Sequence, residues 1–126
     1  MTPIQQMFLG AGAASTKTYV DDVFSTYVYK GTAGSNTVNN GIDISTEGGL
    51  VWFKERGGGG PQQMFDTLRG ATKALRSSGT NAEETRSYGL AFNTNGYSLN
   101  SGDGNINSSS NTYASWTFRK SKGFFT

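Results

Sequence analysis

The chain contains no cysteine and no histidine among its 126 residues. There is therefore no disulfide, no thiolate nucleophile and no imidazole base, which removes the common nucleophilic triads and zinc sites. Proline occurs only at Pro3 and Pro61. Apolar residues make up only 34 % of the chain, below the usual globular share. No apolar run approaches the roughly 20 residues of a membrane span, so no membrane partner is expected. The first residues lack the basic start of a secretory signal. Net charge is +2, from 11 basic and 9 acidic residues. The basic residues are scattered, apart from Arg119, Lys120 and Lys122, and make no nucleic-acid footprint.

What is abundant is glycine, at 18 residues, with Ser, Thr and Asn, and aromatics at 13 %. That composition favours strands and tight turns over a helical bundle, and its aromatics oppose disorder. The length suits one domain with a real core. Its most apolar stretch is Leu50-Val51-Trp52-Phe53, between Gly48-Gly49 and the run Gly57 to Gly60 with Pro61. A short apolar run between breakers predicts a strand buried on both faces and central in a sheet. Leu50 and Trp52 would point one way, Val51 and Phe53 the other.

Strand signals recur along the chain. Val23 to Lys30 and Ser35 to Asn40 read as a hairpin, and Gly41 to Ile44 as an alternating lead into the central strand. Gln62 to Asp66 and Lys73 to Arg76 follow. Arg86 to Phe92 and Gly96 to Leu99 read as a second hairpin. Tyr113 to Arg119 is the last strand, with Ala114, Trp116 and Phe118 on one face. The Gly/Ser/Asn-rich stretch from Ser101 to Asn111 predicts a surface loop. About eight short strands at this spacing predict an all-β fold, an antiparallel β-sandwich or jelly roll over residues 17–126. The expected core includes Leu50, Trp52, Phe53, Phe65, Leu90, Trp116 and Phe118.

Residues 1–16 read differently. Thr2 can cap a short helix, Pro3 fits its first position and Gly10 can end it. Ile4, Met7 and Phe8 then share one face. Two turns of helix do not persist alone in water, so residues 1–16 read as a docking segment, helical or extended, with a small-residue tether. Ile4, Met7, Phe8 and Leu9 are candidate partner-binding residues. So are Phe124 and Phe125, which nothing later in the sequence covers.

Chemistry-bearing motifs are few. The adjacent pairs Asp21-Asp22 and Glu83-Glu84 would point to opposite faces of a strand, so neither forms an acid–base dyad. Gly102-Asp103-Gly104-Asn105 offers a single carboxylate, too few for calcium. Gly57 to Gly60 lacks the Lys-Ser/Thr that follows in a phosphate loop. Asp66 to Gly70 can hold an Asp–Arg pair across a turn. Trp116-Thr117-Phe118-Arg119-Lys120 could stack bases or sugars, but a core strand with a charged end accounts for it. No catalytic residue, cofactor or metal is expected.

Several longer phrases carry a resemblance. They are Val20-Asp21-Asp22-Val23-Phe24-Ser25-Thr26-Tyr27, Asn40-Gly41-Ile42-Asp43-Ile44-Ser45-Thr46-Glu47-Gly48-Gly49-Leu50-Val51-Trp52-Phe53-Lys54, Phe65-Asp66-Thr67-Leu68-Arg69-Gly70-Ala71, Phe92-Asn93-Thr94-Asn95-Gly96-Tyr97 and Tyr113-Ala114-Ser115-Trp116-Thr117-Phe118-Arg119-Lys120. Together they resemble a domain of virion structural proteins from marine tailed bacteriophages, especially cyanophages, which is similar to concanavalin-like or laminin-G-like jelly rolls. The resemblance implies a non-enzymatic virion part on the tail or capsid exterior. It would be the base of a tail fibre or appendage, docked on other virion proteins as a homo-oligomer. The alternatives are a capsid decoration or head-fibre protein, and a lectin-like domain binding host glycan.

Overall fold

A computed structural model describes residues 18–102 and 105–126. Nine strands among the described residues build two antiparallel sheets. They are β1 (Phe24–Lys30), β2 (Ser35–Asn39), β3 (Gly49–Glu55), β4 (Gln63–Asp66), β5 (Lys73–Arg76), β6 (Glu84–Thr85), β7 (Ala91–Asn93), β8 (Gly96–Asn100) and β9 (Thr112–Arg119). The large sheet runs β1-β9-β3-β4-β5-β6 and the small one β2-β8-β7. Two single helical turns, α1 (Val20–Val23) and α2 (Ile44–Glu47), precede β1 and β3. The all-β sandwich expected from strand spacing is the fold observed. The Thr2–Gly10 helix, the tether and Asp103 lie outside the described residues.

The run Leu50–Phe53 is central as expected, since β3 pairs with β9 on one side and β4 on the other. Val51 and Phe53 enter the core with Phe65, Tyr97, Leu99, Ile42 and Ile44, all essentially without exposure. The two sheets are joined through aromatic rings. Tyr97 of the small sheet meets Phe53 edge-on at 5.2 Å and Tyr29 edge-on at 6.3 Å. Tyr29 Oη donates to the Ile106 carbonyl at 2.7 Å and Tyr97 Oη to Ser115 Oγ at 2.8 Å. Burial pushes both phenols far above the usual tyrosine range, so they stay neutral donors.

Three expectations are corrected. β1 and β2 do not pair: β1 joins β9 and β2 joins β8, so the chain crosses between sheets at Gly31 to Gly34. Gly41 to Ile44 does not extend into β3. Instead Asp43 accepts the Thr46 N–H at 2.9 Å, capping α2, and Gly48 ends it at φ +84. The stretch Ser101 to Asn111 is not all surface, because Ile106 and Asn107 are fully buried.

Asn107 explains both the crossing and the buried loop. Its Oδ1 accepts from the Thr32 N–H and Asn36 Nδ2, each at 3.0 Å. Its Nδ2 donates to the Gly34 and Ser101 carbonyls at 2.8 and 2.7 Å. Its own carbonyl accepts the Ala33 N–H at 2.9 Å. The side-chain amide thus fills its four bonding positions with groups that no sheet serves. A Cβ at Gly31 would overlap the Ser108 carbonyl, so only glycine lets the crossing lie this close.

Asn107→Ala should therefore cost about 2–3 kcal/mol, because it strands three partly buried backbone groups at once. The exposed Ser109→Ala should stay within about 0.5 kcal/mol. Urea melts of the two variants provide the check.

Candidate functional site

β9 alternates Tyr113, Ser115 and Thr117 on one side with Ala114, Trp116 and Phe118 on the other. The first set is buried and the second only half-buried. The expected core positions of Trp116 and Phe118 are therefore corrected: these rings lie on the outer face of the large sheet. Two of the inner positions go to small hydroxyl residues that are hydrogen-bonded to the facing layer. Ser115 Oγ accepts from Tyr97, and Thr117 Oγ1 accepts from Asn40 Nδ2 at 3.0 Å. β3 follows the same phase, so Leu50 and Trp52 are also outside while Val51 and Phe53 are in the core. Phe53, Phe65 and Leu90 are buried as expected.

Register builds these outer residues into rows across the strands. One row is Thr26, Trp116, Trp52, Met64 and Leu75. The next is Phe24, Phe118 and Leu50, ending at Asp66. Trp52 and Trp116 lie 5.2 Å apart and Phe24 and Phe118 5.0 Å apart. Val28 extends the face on the β1 edge at 57 % exposure. Trp52 Nε1 donates to Ser77 Oγ at 2.9 Å, which fixes the indole. An antiparallel sheet with one solvated face ordinarily turns polar residues to that side. Here the central strands turn aromatics outward.

At one end the face drops into a groove of about 510 Å³, lined by α2, Leu50, the turn Asp66 to Arg69, Lys120 and Phe125. The C-terminal stretch folds back through a bridge from Ser121 to Phe125, which sets Phe125 5.6 Å from Phe118. Phe125 is thus half-buried on the face, while Phe124 remains 46 % exposed. The expected Asp–Arg pair is present: Arg69 Nε meets Asp66 at 2.9 Å, and its Nη1 meets Glu83 at 2.8 Å. Leu68, at the tip of that turn, is almost wholly exposed. Ile4, Met7, Phe8 and Leu9 lie outside the described residues.

At the other end Glu55 is nearly buried, its carboxylate accepting from Asn111 Nδ2 at 2.6 Å and the Gly60 N–H at 3.2 Å. The glycine run closes over this carboxylate, since a Cβ at Gly58 would overlap it. Among the described residues no group of three or more carboxylates could hold a metal ion. What the large sheet offers is apolar surface with a polar and basic rim.

A family model for a domain of unknown function, DUF7483, matches residues 20–125. The chain belongs to the DUF7483 family. No curated protein and no solved structure matches the chain. The DUF7483 match starts at α1, so Ile4 to Leu9 precede the family domain. The outer face of this DUF7483 domain was legible in the alternation of β9, but that alternation does not say which side faces the partner sheet.

Two outcomes follow from this geometry. Phe53→Ala should cost about 3–5 kcal/mol, as for a buried ring. Trp116→Ala should cost about 1–2 kcal/mol, in proportion to its partial burial. Equal costs in urea melts would return Trp116 to the core. The Asp43 carboxyl is held below its usual range chiefly by the Thr46 N–H. Its contribution is therefore present at neutral pH and lost as pH falls through that lowered value. Asp43→Ala should flatten this part of the acid limb of a stability–pH curve.

Proposed function

We propose that this DUF7483 domain is a non-enzymatic structural module of a phage particle, serving at the base of a tail fibre or tail appendage. The observation that carries the reading is the apolar outer face of the large sheet, which joins Trp52, Trp116, Phe24, Phe118, Leu50, Met64 and Leu75. Apolar patches of this kind on a domain's surface mark places where another protein sits. The sequence phrases that resemble marine phage virion proteins supply the setting. The module works by burying apolar area in an assembly, on other virion proteins and on further copies of itself. The fully satisfied Asn107 crossing and the neutral buried tyrosines suit a rigid part.

A lectin-like role would use the same tryptophans, since an indole face can stack on a sugar ring. The two roles separate experimentally. Cryo-electron microscopy of intact particles should show the domain at a fixed tail position with its outer face covered. A glycan array probed with the isolated domain should show no specific binding, and host polysaccharide should not be cleaved. Specific glycan binding lost on Trp52→Ala, with no defined place in the particle, would replace the assembly role by the lectin role.

A further inference from the structure

We propose that the outer face of the six-stranded sheet receives residues 4–9 of a second copy of the chain. This rests on the assembly role above and names its contact.

Area selects the occupant. The largest apolar patch on a typical monomer is about 300–600 Å², and the rings of this face are half-buried. Two such faces pressed together bury at most about 1,200 Å², the lower end for a stable interface, and only if they match completely. An apolar segment closes that gap. Ile4, Met7, Phe8 and Leu9 each bring on the order of 100 Å² of their own, and a segment can follow the face where a second flat sheet cannot. The dimensions agree. The row Trp116, Trp52, Met64, Leu75 crosses four strands, about 14 Å at the usual strand spacing. Six residues span about 9 Å as helix and about 20 Å extended.

The entry to the domain is itself open to a neighbour. Thr18 to Asp22 are all exposed, with Tyr19 at 41 % and Val20 at 63 %. Tyr19 and Val20 thus leave apolar side chains open beside α1, and these extend the surface that a neighbour would cover. Charge agrees as well. The approach carries the exposed pair Asp21-Asp22, while the rim of the outer face carries Lys54, Lys73 and Lys120, with Glu47 and the Arg69-paired Asp66 at the groove end. α1 rests against β9 and β1 of its own copy, and its Asp22 Oδ2 accepts the Tyr19 N–H at 3.2 Å. A neighbouring copy can bring its own acidic pair onto the basic rim behind its docked segment.

Trp52 and Trp116 are the chain's two tryptophans, and both lie on this face. Their emission therefore reports its occupancy. The full chain should associate with rising concentration in analytical ultracentrifugation, with a blue shift in emission and reduced acrylamide quenching. The Ile4→Asp/Phe8→Asp double variant should lose association and keep red-shifted, quenchable emission, at an unchanged melting temperature. Val28→Asp, on the exposed edge of the face, should do the same from the receptor side. Mixing the two variants should restore a one-to-one complex, because one retains the segment and the other the face. A full chain that stays monomeric overturns the proposal, and so do an arm variant that still associates and shielding that does not change on dilution. Particles lacking the protein would remove the assembly role without altering this association. Normal incorporation of a non-associating variant would remove only this contact.

Discussion

The hydrogen bond from Tyr97 to Ser115 ties the small sheet to β9 of the large one, and the rest of the surface follows from it. A strand has one inner and one outer set of side chains, and a slip of one residue exchanges them. With Ser115 and Thr117 inside, each bonded to a residue of the facing layer, Trp116 and Phe118 have nowhere to go but out. β3 is locked to the same phase through its pairing with β9. The reverse phase would bury two large rings but leave the Tyr97 hydroxyl without a partner inside the core. An orphaned buried hydroxyl costs on the order of 1–3 kcal/mol. The apolar outer face is thus set by the polar interior.

The fold class was legible because it rests on spacing. Turn residues separate the strands, and Leu50–Phe53 lacks any route to a helix. Lys73–Arg76 appears where its residues place it. What spacing does not encode is which strands share a sheet. Ser35 to Asn39 follows β1 closely, yet a crossing pinned by Asn107 carries it to the other layer. Asn107 itself was hidden by composition. It sits in a stretch of Gly, Ser and Asn that reads as solvated loop, and only the three-dimensional neighbours of its amide show otherwise. The phase of β9 was hidden for a related reason. Hydrophobicity ranks Trp and Phe ahead of Ser and Thr for the core, and the ranking fails where hydroxyls are matched by partners. The pair Asp66–Arg69, local in sequence, was readable; the third member, Glu83, comes from a distant strand connection.

An assembly role gives this arrangement a physical sense. A face of aromatics is costly on a free domain and favourable in a covered one, so it fits a protein that spends its working life in contact. The groove at the end of the face, with Leu68 exposed on its rim, continues the same surface rather than forming a separate site. In the proposed contact, specificity would come from the rim, where Lys120, Lys73 and Lys54 lie around the apolar centre. The acidic approach at Asp21-Asp22 is the complement that the proposed contact would use.

The central claim is that the outer face of the large sheet is covered in the working assembly. The absence of native cysteine allows a direct measurement. A single cysteine at the exposed outer position Thr26 can be labelled with a thiol reagent in the dissociated chain and in the native assembly, beside a control at Ser109. Thr26→Cys should react readily when free and become protected in the assembly, while Ser109→Cys stays reactive in both. Equal reactivity of Thr26→Cys in the two states would contradict the account.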